Sequence, residues 1–300
     1  MPLRPTITDY ARKVLDAVRK GDAALLREHL AGGLGLEARD EEGVSALVWA
    51  VRGGNLECTQ ALLEADTDVD GQDRHGDTAL IWAAKESTPE MIKLLFFGGA
   101  SPDLANGMGN TPLIWAARKN RLAVVEELLE RGANPNLRNA DGDTALITAS
   151  RDGSSAVSRL LLDKGADVNA RNKSGNSALI IASHEGHVDE VRLLLERGAD
   201  PNISNDYKNT ALIWAVRGGH MEAVKMLLEK GANVNAQNEF GNSPLIMTAR
   251  WGRTEIAAIL LAHGADVRLV DKEGQTAIDR AREESVISVD VLAMLEKLEA

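Results

Sequence analysis

One cysteine in 300 residues, Cys58, has no second thiol to pair with. An internal disulfide framework is therefore excluded, as is a cysteine-based zinc spacing, and a reducing compartment is the expectation. Aromatic residues are scarce at 3%, so the placement of the five tryptophans carries unusual weight. Positive charge is in deficit: 34 Lys and Arg against 45 Asp and Glu leave a net charge of −11. That balance opposes the broad basic footprint of a nucleic-acid binder and leaves room only for a local basic stripe. Nowhere do eighteen apolar residues run together, and the opening MPLRPTITDY lacks the apolar run of a secretory signal. Membrane spanning and secretion both lose support, and a cytoplasmic location, or a nuclear one in a eukaryote, is expected. The chain is long enough to bury a core without crosslinks or a structural metal.

What the sequence does have is a period. Thr or Ser, then Ala or Pro, then Leu or Ile, recurs at Ser45, Thr78, Thr111, Thr144, Ser177, Thr210, Ser243 and Thr276, each 33 residues after the last. We call this residue the anchor. Two before it stands Gly43, Gly76, Gly109, Gly142, Gly175, Gly241 or Gly274, with Lys208 as the exception; five before it stands Asp or Asn, from Asp40 to Asp271. One period upstream, Val14, Ala17 and Gly21 keep the same phase in a degraded copy. Each unit reads as an Asx-rich turn, an N-capping anchor, a short helix, and a second helix closed by Gly. In the third unit the second helix is expected from Ala123 to Arg131, with Val124, Val125, Leu128 and Leu129 on its apolar stripe. No unit can bury that stripe alone, so the units must stack between polar caps.

The T-[AP]-L-x-x-A anchor segment and the closures at Gly165–Asn169 and Gly231–Asn235 resemble ankyrin repeats over about residues 40 to 290. The resemblance implies an all-α solenoid of helix pairs with β-hairpin-like finger loops, and binding of other proteins by its concave face and finger tips without catalysis. Expected boundaries are an N-terminal cap over 1–39, seven repeats over 40–270, and a capping repeat over 271–300. The family's His after Leu is replaced by Val48, Ile81, Ile114, Ile147, Ile180, Ile213 and Ile246, so packing should dominate adhesion between repeats. Asp66 and Lys208 replace glycines, which predicts two less regular joints.

At about 100° per residue, positions four and seven after the anchor point away from the face packed on the second helix. The first column reads Trp49, Trp82, Trp115, Thr148, Ile181, Trp214 and Met247, with Trp251 four residues further on. The second reads Arg52, Lys85, Arg118, Arg151, His184, Arg217 and Arg250. An acidic chain thus keeps one face basic. If these columns line the concave groove, they form a Trp/Arg ladder suited to an extended acidic peptide or partner protein, about three partner residues per repeat. Finger residues Tyr207 and Phe240 border a second patch around Trp214, Met247 and Trp251. A purely structural reading competes, in which the cations stack on the indoles and Asp77 and Asp143 neutralise them.

Catalytic chemistry is not visible. GxxxxGK[ST], HExxH and GxSxG are all missing, and His184 with His187 lacks a third ligand, so neither cofactor nor metal is expected. Glu126, Glu127 and Glu130 read as a solvated outer face, and Cys58 as a buried, inert thiol. The sequence therefore reads as a non-enzymatic, monomeric binding module. A regulatory subunit of an enzyme is the alternative, and a small-molecule receptor or enzyme ranks below it.

Overall fold

The computed structural model describes residues 7–31, 35–283 and 289–299. The chain forms two compact units, Met1–Ala145 and Leu146–Ala300. The first holds α1 (Ile7–Lys20), α2 (Ala23–Leu30), α3 (Ala46–Arg52), α4 (Leu56–Glu64), α5 (Ala79–Glu86), α6 (Pro89–Phe97), α7 (Pro112–Arg118) and α8 (Leu122–Glu130). The second holds α9 (Ala145–Arg151, its first residue counted with the preceding unit), α10 (Ser155–Asp163), α11 (Ala178–Glu185), α12 (Val188–Glu196), α13 (Ala211–Gly218), α14 (Met221–Glu229), α15 (Pro244–Trp251), α16 (Thr254–Ala262), α17 (Ala277–Glu283) and α18 (Val289–Glu299). Within the first unit α1, α3, α5 and α7 pack side by side as one layer, and α2, α4, α6 and α8 as the other. In the second, α11, α13, α15 and α17 face the layer of α10, α12, α14, α16 and α18 in the same way.

The anchor residue starts each first helix by the expected chemistry. The hydroxyls of Ser45, Thr78, Thr111, Ser177, Thr210 and Ser243 each accept from the backbone N–H three residues on, satisfying a donor the helix cannot. Ahead of each anchor, one Asx oxygen closes the finger. Asp73 Oδ1 accepts from the backbone of His75 and Asp77, Asn106 from Met108 and Asn110, and Asn205 from Tyr207 and Asn209. The fingers are turns; among the described residues they carry only isolated antiparallel bridges, Arg39 to Ser45, Arg171 to Ser177 and Ser204 to Thr210.

The core follows the pattern. Val48, Ile81, Ile114, Ile147, Ile180, Ile213 and Ile246 are all at most 2% exposed, each burial contributing about 1.5–3 kcal/mol. Repeats are also clamped by hydrogen bonds running from the head of one second helix to the preceding first helix. His187 Nε2 meets the carbonyl of Arg151 at 3.0 Å, His220 Nε2 that of His184 at 3.2 Å, and Arg253 donates to Arg217 at 3.3 Å, each spanning 36 residues.

Three expectations need correction. Asp66 and Lys208 do not disturb their joints, because both adopt the left-handed conformation of the glycines they replace, with φ of 64° and 58°. The irregularity appears as backbone strain instead of altered geometry. Glu127 does not lie on a solvated face: it is buried on α8, where Arg131 Nε approaches it at 2.9 Å and Lys93 Nζ, from α6, at 3.6 Å. Glu126 and Glu130 are exposed as expected.

Candidate functional site

In the first unit the two columns interlock. The guanidinium of Arg52 lies 5.0 Å from the Trp49 ring centroid and 4.4 Å from that of Trp82. Lys85 bridges Trp82 and Trp115 at 4.4 and 4.3 Å, and Arg118 lies 5.0 Å from Trp115. Each contact is worth about 0.5–1 kcal/mol at a partly exposed site. The competing structural reading is thus realised in part, since the ladder stabilises the unit whatever else it does.

Charge pairing then separates the cations. Lys85 Nζ is 2.6 Å from Asp77 Oδ2, both largely buried, so this amine is neutralised within the fold. Arg52 and Arg118 differ: among the described residues neither has a carboxylate within ion-pair distance, and neither guanidinium donates a hydrogen bond. Stacking uses the face of the guanidinium and leaves its N–H donors unspent.

The indoles are anchored according to the residue nine positions before them. Trp49 Nε1 donates to Asp40 Oδ2 at 2.9 Å and Trp82 Nε1 to Asp73 Oδ2 at 3.1 Å. Before Trp115 and Trp214 that residue is Asn, whose amide NH2 cannot accept; Asn106 donates instead to Asp77 and Asn205 to Asn176. The indole nitrogens of Trp115 and Trp214 are consequently buried without a partner. Burial pushes the Asp40 carboxyl up, but the Trp49 indole, the backbone N–H groups of Val44 and Glu42, and Arg19 outweigh it and hold it below the usual carboxylate range.

Sequence reasoning missed Arg19. It sits on α1, 4.7 Å from the Trp49 ring and 3.5 Å from Asp40, and so continues the ladder onto that helix. The signal was available, because Arg19 lies one period before Arg52. At the opposite end of the chain the column of four after the anchor ends in Arg280, which reaches Asp271 at 2.6 Å, Glu273 at 2.6 Å and Glu283 at 2.8 Å. Burial raises the Asp271 carboxyl, but Arg280 and the backbone N–H groups of Gln275 and Glu273 outweigh it and bring it below its ordinary value.

In the second unit the columns are interrupted. Thr148 is buried, Ile181 and Arg151 are half-buried, and the Arg151 carbonyl serves the His187 clamp. His184 packs edge-on against Trp214 with centroids 4.5 Å apart, its Nδ1 2.9 Å from Glu185. The guanidinium of Arg217 lies 5.0 Å from the Trp214 ring and 5.5 Å from that of Trp251, with no hydrogen bond or carboxylate partner among the described residues. Among the described residues Arg250 reaches only Asn242, at 3.5 Å. Tyr207, Phe240 and Trp251 are exposed. Met247 is the exception within this patch: it is 8% exposed and acts as floor rather than contact surface, because its flexible chain folds down where an indole would project. Above it lies a pocket of about 190 Å³ framed by Trp214, Phe240, Trp251, Arg217 and Arg250.

Stacked helix pairs with a cation–indole face and turn-built fingers define a helical repeat scaffold. Family models of ankyrin repeats match residues 14–106, 82–172 and 167–238, and a second such model matches 227–281; the chain belongs to the ankyrin-repeat family. Proteins of this family are generally protein–protein interaction modules and typically non-enzymatic. No curated protein matches the sequence. Among the described residues no helix is long and apolar enough to cross a membrane, and no three metal-ligating side chains cluster.

Proposed function

We propose that the chain is a non-catalytic module, monomeric and cytoplasmic, or nuclear in a eukaryote, that binds an extended acidic segment of another protein along its first-helix faces, within the repeats of 40–270. One observation carries this reading: among the described residues the guanidinium groups of Arg52, Arg118 and Arg217 are held in place by indoles yet make no hydrogen bond or ion pair, in a chain of net charge −11. A guanidinium already oriented by stacking loses less freedom on meeting a carboxylate, and unspent planar donors favour bidentate acceptors. Lys85, tied to Asp77, supports the ladder without contributing a contact.

The test is affinity capture on the immobilised full chain. Partners should elute with rising salt, and replacing Arg52, Arg118, Arg217 and Arg250 together by Gln should weaken their capture tenfold or more while helical content stays the same. A folded quadruple variant that retains the same partners at the same salt rules out this face.

A further inference from the structure

We infer that the pocket above Met247 is a vacant rung of the tryptophan column, and that it takes one aromatic side chain from an acidic segment of another protein. The inference rests on the binding reading above and adds what the second unit selects. In the first unit Trp49, Trp82 and Trp115 fill the column, each half-buried beside its neighbour's cation. At the same position of α15 stands Met247, sunk to 8% exposure, and the pocket of about 190 Å³ opens over it. A closed apolar cavity of about 150 Å³ is known to admit benzene, so this space suits one phenyl or indole ring. Beside Ile213 and the amides of Asn209, Asn238 and Asn242, the lining carries Trp214, Phe240 and Trp251, the last two 57% and 44% exposed, which is much aromatic surface for a chain so poor in it.

Charge decides what accompanies the ring. Arg217 already lies over both Trp214 and Trp251, so the indole faces that could attract an incoming cation hold one. Arg250, which also lines the pocket, meets only the neutral amide of Asn242 among the described residues. Of the nearby carboxylates, Asp271 and Glu273 are both taken by Arg280. The pocket is lined by Arg217 and Arg250 and, among the described residues, by no carboxylate, although Glu239 adjoins Phe240; the lining is therefore cationic, and the residue that inserts its ring should be flanked by Asp or Glu.

Two fluorescein-labelled nine-residue peptides of Glu, Asp and Ser, identical except for a central Phe or Ala, provide the test with the full chain. By fluorescence anisotropy the Phe peptide should bind at least tenfold more tightly. Met247→Trp, which supplies the missing indole from within and matches the residue the column carries elsewhere, should lower the Phe peptide to the level of the Ala peptide and leave the latter unchanged. Equal binding of the two peptides by the unaltered chain overturns the pocket while sparing the basic face. Undiminished Phe preference in a folded Met247→Trp variant likewise overturns it. Binding of neither peptide overturns the basic face and the pocket together.

Discussion

The indole nitrogen of Trp82 donates to Asp73 Oδ2 at 3.1 Å, nine residues earlier in the chain, while Asp73 Oδ1 closes the finger turn. One carboxylate thus fixes both a loop and a ring. Asp73→Asn keeps the turn acceptor but presents an amide NH2 to the indole, and Val44, which stands where Asn-bearing fingers find their acceptor, offers none. The substitution should lower stability by about 1.5 kcal/mol, read as a fall in denaturant midpoint at constant slope. An unchanged midpoint would deny the indole bond any weight.

Lys208 holds a left-handed backbone at φ 58° where the other fingers have glycine. Lys208→Gly relieves about 1–2 kcal/mol of steric cost and returns about 0.4–1 kcal/mol through a freer unfolded chain. A net gain of about 0.5–1 kcal/mol is expected in urea titrations. A loss would mean that the Lys208 side chain contributes more than its backbone costs.

Glu190 on α12 is fully buried in a column otherwise filled by Cys58, Met91, Val124, Val157, Ala223 and Ile256. Ser150 donates to its Oε1 at 2.7 Å, and its Oε2 has no partner. Ser150→Ala should cost about 1–3 kcal/mol by removing that donor, whereas Ser150→Ala with Glu190→Met should exceed the unaltered chain in stability by about 1 kcal/mol or more. Thermal unfolding of both variants checks the ordering; a double variant less stable than the single one reverses the argument.

Acid should loosen the C-terminal repeat. The folded carboxyl of Asp271 lies below its ordinary value near 3.8, so the unfolded chain binds the proton more readily. Its contribution is complete above that value and is lost as pH falls through the lower folded one. Asp279 behaves alike, held down by the hydroxyl and backbone N–H of Thr276. Arg280 is pushed up by Glu273, against burial, and stays charged throughout. Asp271→Asn should therefore lower stability at pH 7 and flatten its decline below pH 4; an equally steep decline in the variant would assign the acid sensitivity elsewhere.

The fold was legible because its signals are local and repeated: a capping hydroxyl, an Asx turn and an apolar column recur at one spacing, and each acts within a few residues. The ladder was legible in direction but not in depth. A helical wheel gives the azimuth of Met247 yet not that its flexible chain folds inward, and it places Lys85 outward, whereas the competing reading, with Asp77 as the neutralising carboxylate, is the one the fold realises at that rung. Glu127 was misread because its surroundings are completed from outside its own helix: Arg131 follows four residues on, but Lys93 reaches it from α6. Arg19 was overlooked only because the degraded first copy lacks the anchor that frames the others.

Cys58 is completely enclosed on α4, and burial, aided by the charges of Glu57 and Asp22, pushes its thiol above its usual range. A maleimide or disulfide reagent can therefore label it only during moments when that helix pair lifts away. As the chain has no other sulfhydryl, labelling kinetics give a clock, free of background, for how often this part of the protein breathes.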